Sequence, residues 1–195
     1  MKFAIAMGAV AALATAKPAE DRVEYLPDMR TFDEWEMYSG YFTIGDTSKQ
    51  IHYIFVESQN DPANDPVVLW TNGGPGCSSM LGFLQEHGPF KMASGTDSFF
   101  ELDTSWNREA NMIYVEQPAG VGFSYCSGKE DCTQDDESSA KDNLDVILQF
   151  FERFPEFKSN DLYLSGESYG GIYVPYMAHE VVKHNEANAD DDSVY

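Results

Sequence analysis

The chain has 195 residues, a length that accommodates one domain or part of one. Hydrophobic residues make up 43% of it and aromatics 14%, which suits a packed core and excludes a disordered chain. Its 33 acidic residues against 12 basic give a net charge of -21, the wrong sign for phosphate backbones, and so exclude nucleic acid as a partner.

The chain opens on a targeting pattern. Lys2 precedes an apolar run from Phe3 to Leu13 that only Gly8 interrupts, and Ala14-Thr15-Ala16 puts small residues where a signal peptidase reads them. The run is too short for a permanent membrane span and lacks the polar face that a surface helix needs. Residues 1–16 therefore read as a cleaved signal peptide and 17–195 as the exported part, with no membrane partner after cleavage. The same signal serves export to the exterior and delivery to a vacuole or lysosome. No Asn-x-Ser/Thr acceptor for N-glycosylation is present.

Glu20 to Trp35 is polar and irregular. Gly40–Ile44 and Gln50–Glu57 are β-prone runs joined by Gly45-Asp46-Thr47-Ser48, which predicts a hairpin. Asn60-Asp61-Pro62 and Asp65-Pro66 form a loop. Val67-Val68-Leu69-Trp70 is then a continuous apolar run, as a strand buried on both faces requires. A glycine- and proline-rich segment, Asn72 to Gly76, leads to a short helix expected over Ser78–Glu86. Met112-Ile113-Tyr114-Val115 predicts a second buried strand, stopped by Gln117-Pro118.

Cys126 and Cys132 flank a short polar loop, and an oxidising route predicts a local disulfide between them. Cys77 is left over, which points to a partner outside the chain. Gln134 to Phe154 has helical periodicity, with Leu144, Ile147, Leu148 and Phe151 on one face and Ser138 or Asp136 as the cap. Leu162-Tyr163-Leu164-Ser165 predicts a third buried strand, and Tyr169–Lys183 a helix. The acidic runs Glu130–Asp131, Asp135–Glu137 and Asp190–Asp192 read as solvated loops and tail. They lack the alternating oxygen ligands of a calcium loop, so no metal and no cofactor is expected.

A leading hairpin followed by apolar strands alternating with helices predicts an α/β sheet, mostly parallel, with antiparallel strands at one edge. Such sheets place their sites beyond the carboxyl ends of the strands. Two loops leave such ends. Gly166-Glu167-Ser168-Tyr169-Gly170 fits the nucleophile elbow, a strand-to-helix turn so tight that glycines are expected on both sides of the serine. It pushes the Ser168 hydroxyl above the sheet and aims the Tyr169 amide at a substrate oxygen. The other loop, Asn72 to Ser79, combines glycines that expose backbone amides with the start of a helix, as an oxyanion hole needs.

Four blocks carry a resemblance. Asn72-Gly73-Gly74-Pro75-Gly76-Cys77-Ser78-Ser79, then Glu86-His87-Gly88-Pro89, then Gln117-Pro118-Ala119-Gly120-Val121-Gly122-Phe123-Ser124-Tyr125, and finally Gly166-Glu167-Ser168-Tyr169-Gly170-Gly171 resemble the serine carboxypeptidase family, in its order. The likeness runs from about Glu34 to Lys183. It implies an α/β-hydrolase fold, incomplete in this chain, that removes C-terminal residues from peptides and proteins through an acyl-enzyme. It implies Ser168 as nucleophile and the Gly74 and Tyr169 amides as the oxyanion hole. It also implies that Asn72, Gly73 and Glu167 hold the terminal carboxylate of the substrate, with Glu86 paired to Glu167. Two carboxyls sharing one site cannot both ionise cheaply, so one is expected to keep a proton and to favour acidic pH.

The triad's Asp and His follow the serine in this fold. Only His179 and His184 follow Ser168, and at ~1.5 Å per residue His179 would lie roughly 16 Å along the helix, beyond the reach of a base. His52 and His87 precede the serine and read as structural. The chain is thus expected to be an N-terminal part, inactive by itself. Two other readings stand beside the peptidase: an acyltransferase on the same fold, and a secreted binding protein that keeps the pocket without the triad.

Overall fold

The computed structural model describes residues 17–26, 35–92, 95 and 99–189. The signal peptide and the run Asp190–Asp192 lie outside the described residues.

The strands β1 (Met37–Thr43) and β2 (Gln50–Val56) form the expected antiparallel hairpin, with Gly40 opposite Tyr53. Then follow β3 (Val67–Thr71), two short strands β4 (Phe90–Met92) and β5 (Phe99–Glu101), and β6 (Asn111–Val115). Helix α1 (Asp136–Arg153), strand β7 (Leu162–Gly166) and helix α2 (Gly170–Ala187) complete the order. The main sheet runs β1-β2-β6-β3-β7, while β4 and β5 pair separately. Its β1-β2-β6 side is antiparallel and β6, β3 and β7 are parallel, so the predicted mixed α/β sheet with a leading hairpin is what forms.

Alternation along the strands divides the core in two. One cluster sets Tyr38, Phe42, Tyr53, Phe55, Leu69 and Ile113 against Val146, Ile147, Phe150 and Phe151 of α1 and Tyr173 and Met177 of α2. Phe55 and Phe150 meet edge to face at 4.9 Å, a favoured geometry for aromatic pairs. The opposite face gathers Met37, Ile54, Val56, Trp70, Met112 and Tyr114 around Phe83 and Phe90.

Several expectations need correction. Strand β7 is only half buried, and Tyr163 is 55% exposed. Among the described strands it pairs with β3 alone. Helix α1 is capped by Asp135, not by Asp136 or Ser138. The Asp135 side chain accepts the Ser138 amide at 2.8 Å, and Ser138 Oγ accepts the Asp135 amide at 2.9 Å, a reciprocal box. The buried face of α1 runs through Asn143, Val146, Ile147, Phe150 and Phe151, with Leu144 and Leu148 on its margins.

The acidic runs are also more engaged than solvated loops. Asp131 accepts the Ser48 amide at 2.8 Å, and Asp136 accepts the Tyr169 hydroxyl at 3.2 Å. The short helix expected over Ser78–Glu86 forms over residues 80–86 and widens at Gly82–Glu86, where the amides of His87 and Gly88 both reach the Gly82 carbonyl. The Cys126–Cys132 disulfide is formed, and Cys77 is a free thiol among the described residues.

Candidate active site

The two glycine loops lie side by side because the strands that launch them are neighbours in register. Trp70 pairs with Ser165 and Thr71 with Gly166, so Asn72 and Glu167 leave the sheet together. At the elbow, Ser168 has φ +56, the left-handed region that costs a non-glycine residue roughly 1–2 kcal/mol. The turn is closed by the Gly170 amide on the Glu167 carbonyl at 2.7 Å and the Gly171 amide on the Ser168 carbonyl at 2.9 Å. A Cβ on Gly166 would lie 2.7 Å from the Thr71 carbonyl oxygen, so that glycine is sterically required. The same atom would be 3.4 Å from a Cβ on Gly170, an ordinary contact, so steric need does not extend equally to both sides of the serine.

The other loop wedges against this turn. A Cβ on Gly73 would stand 2.4 Å from the Tyr169 nitrogen and 2.7 Å from the Glu167 carbonyl oxygen. Gly74 follows at φ +108, and the Cys77 amide closes back on the Gly73 carbonyl at 3.0 Å. Among the described residues neither the Gly74 amide nor the Tyr169 amide has an acceptor. The foot of the loop is fixed by Ser79, whose hydroxyl donates to the Val115 carbonyl at 2.6 Å and accepts the Asn72 amide at 3.2 Å.

Asn72 is fully buried, and each end of its side-chain amide is engaged. Oδ1 accepts from the Trp70 indole at 2.9 Å and from the Gly82 amide at 3.0 Å. Nδ2 donates to Glu86 Oε1 at 2.9 Å and to Glu167 Oε1 at 3.4 Å. Both glutamates face solvent. The two carboxylates thus converge on one amide, and among the described residues no hydrogen bond joins them directly.

The histidines sit apart from this cluster. His52 bonds Glu116 Oε2 through Nδ1 at 3.0 Å and Ser39 Oγ through Nε2 at 2.9 Å. His87 stacks on Trp106 with 4.2 Å between centroids, meets Trp70 edge to face at 4.2 Å, and bonds the Tyr114 hydroxyl through Nδ1 at 3.1 Å. Burial in that aromatic box lowers its pKa to about 4, so its ring is neutral. His179 and His184 lie on α2, and among the described residues Ser168 Oγ has no hydrogen-bond partner. No group of His, Cys, Asp and Glu among the described residues is arranged to hold a metal ion.

Sequence reasoning passed over Trp70, which orients Asn72, and Glu116, which lies fully buried at the end of β6. Only a charge placed directly after an apolar strand signalled Glu116.

Residues 27–193 match the family model described as serine carboxypeptidase. The mouse lysosomal protective protein is 50% identical over 163 residues, 84% of this chain and 34% of its own length. Serine carboxypeptidase-like 20 of Arabidopsis thaliana is 42% identical over 190 residues, 94% of this chain and 38% of its own. The chain therefore spans little more than a third of these curated relatives. Among solved structures, the prohormone-processing carboxypeptidase Kex1 of Saccharomyces cerevisiae superposes with a TM-score of 0.72 at 32% identity, covering 83% of this chain and 37% of that one.

Proposed function

This chain belongs to the serine carboxypeptidase family, and on that premise we propose that it supplies the nucleophile, oxyanion donors and carboxylate clamp of a serine-type carboxypeptidase. The observation that carries the reading is the left-handed Ser168 at the end of β7, with Gly73 wedged against the Tyr169 amide beside it. In this reading Ser168 Oγ attacks the last peptide carbonyl of a substrate. The oxygen that becomes negative is met by the amides of Gly74 and Tyr169, which have no acceptor of their own among the described residues. The C-terminal residue leaves with a proton, and water then hydrolyses the ester on Ser168.

The clamp explains the preference for a free C-terminus. Asn72 Nδ2 and the Gly73 amide are donors for the substrate carboxylate, and Glu86 and Glu167 stand on the same amide. The general base is none of the four histidines of the chain. His52 and His87 are engaged elsewhere, and His179 and His184 are carried away from Ser168 along α2. The reading therefore draws its base from outside Met1–Tyr195. It also assigns the protein to the secretory pathway, released outside or delivered to a lysosome or vacuole. Among the described residues no helix is long and apolar enough to cross a membrane.

The test compares a blocked dipeptide with its C-terminal amide, using the natural protein that carries this segment. Cleavage of the free acid well above the amide is expected, together with fluorophosphonate labelling at Ser168. Equal cleavage of both would remove the exopeptidase assignment, and absence of labelling would leave a binding protein.

A further inference from the structure

Glu116 follows β6 and is fully buried, yet the reaction proposed above makes no use of it. Its Oε1 accepts the hydroxyl of Ser78. Its Oε2 accepts the Phe123 amide at 2.8 Å and meets His52 Nδ1 at 3.0 Å. The loop from Pro118 to Tyr125 is wrapped so closely on this carboxylate that a Cβ on Gly122 would fall 1.9 Å from Oε1. Burying a lone carboxylate costs several kcal/mol, so three donors converging on one imply that its charge is put to use. Burial pushes its pKa up, but the bonds from His52, Ser78 and Phe123 outweigh that and hold it below the usual value.

We propose that Glu116 is a positioning residue for the oxyanion side of the site, acting through Ser78 on the loop that carries Gly74. Ser78 and Ser79 are consecutive, and they bond consecutive residues at the end of β6: Ser79 to the Val115 carbonyl and Ser78 to the Glu116 carboxylate. The foot of the loop is thereby fixed in both position and rotation, four residues after Gly74. His52 completes the carboxylate's partners from β2, and Ser124 Oγ ties the same corner by donating to the Glu116 carbonyl at 2.5 Å.

Ser39, His52 and Glu116 lie in line, like the members of a hydrolytic triad, but the surroundings favour an anchor over a second reactive centre. Ser39 sits within strand β1, and its amide is already donated to the Asp21 carbonyl at 2.8 Å, so it offers no oxyanion donor.

The inference rests on the carboxypeptidase reading for the role of Gly74, and the experiment separates the two. Glu116→Gln and Ser78→Ala are compared with wild type in the natural protein by kcat and KM on the blocked dipeptide, and by the rate of fluorophosphonate labelling. Removing an oxyanion donor outright costs about 10²–10³ in kcat, so a donor held loosely should cost roughly ten-fold, with KM within about two-fold. The labelling rate should fall in parallel, because the phosphonyl oxygen occupies the same hole. The double variant should be no worse than the poorer single, since both changes remove one link. A folded Ser78→Ala protein with wild-type kcat and labelling rate would overturn the inference, even if Glu116→Gln does not fold. A wild type that labels but spares the dipeptide would remove the exopeptidase reading alone, and the labelling rates would still decide this one. A wild type that does not label would remove both.

Discussion

The indole N–H of Trp70 donates to Asn72 Oδ1 at 2.9 Å, and this bond decides which way the Asn72 amide points. With Oδ1 also taken by the Gly82 amide, Nδ2 has to face Glu86 and Glu167. Trp70→Phe keeps an aromatic ring but removes the donor, at a cost of about 0.5–1.5 kcal/mol in stability for a buried hydrogen bond. Its effect on function should be larger and selective. KM for substrates with a free carboxylate should rise several-fold while fluorophosphonate labelling of Ser168 is unchanged, and equal loss of both would show that the bond serves only the core.

Gly73→Ala should disrupt the junction of the two loops. The added methyl would face the Tyr169 nitrogen at 2.4 Å and the Glu167 carbonyl oxygen at 2.7 Å, both backbone atoms of a tight turn. Overpacking of this kind costs about 1–3 kcal/mol, and the displaced Tyr169 amide should slow labelling at least as much. Gly171→Ala is the control. It lies in α2 with nothing within 4 Å, and should stabilise the protein by about 0.5–1 kcal/mol. Denaturant melts of the two variants should shift in opposite directions.

Ser168→Gly should raise stability while abolishing labelling. Glycine adopts φ +56 without steric cost, whereas Ser168→Ala keeps the strain and loses only the hydroxyl. A gain of about 1 kcal/mol of the Gly variant over the Ala variant is expected. Equal melting temperatures would mean that the elbow stores no strain.

His87 should make stability depend on pH. Its folded pKa of about 4 lies below the ordinary 6.5, so the unfolded chain binds the proton more readily. The stabilisation is fully present above about pH 6.5 and is lost as pH falls towards 4, by about 1.4 kcal/mol per pH unit across that window. Unfolding free energies measured across that window should show the slope in wild type and lose this component in His87→Gln. An unchanged slope in the variant would assign the dependence to other groups.

Much of this site was legible from residue order. The apolar runs at Val67 and Met112, and the glycines that follow Asn72 and flank Ser168, announce their conformation locally, because a buried strand and a tight turn each restrict residue type. What escaped depends on neighbours distant in the chain. The Leu162 run resembles the other two strands in residue type, so its lower burial among the described residues is not written in the run itself. Asp135, Asp136 and Ser138 all carry side chains able to cap a helix, and the extended backbone at Asp135, φ -129 and ψ -178, selects it over the expected Asp136 or Ser138. Glu116 reads as an ordinary strand end until Ser78, Phe123 and His52 are seen to converge on it.

The parallel pairing of β3 with β7 has a consequence for how the protein is made. Asn72 and Glu167 are 95 residues apart in the chain, yet adjacent rungs of a single ladder bring their loops together. A chain leaving the ribosome can close its hairpin early, since those partners are near in sequence. Nothing can hold Glu86 and Glu167 on one amide until β6, α1 and β7 have all emerged and the long loop has closed, a slow step for nonlocal parallel strands. The junction of the two glycine loops is thus among the last parts of this sequence to assemble, and the loop from Asn72 waits through most of synthesis for the turn that packs against it.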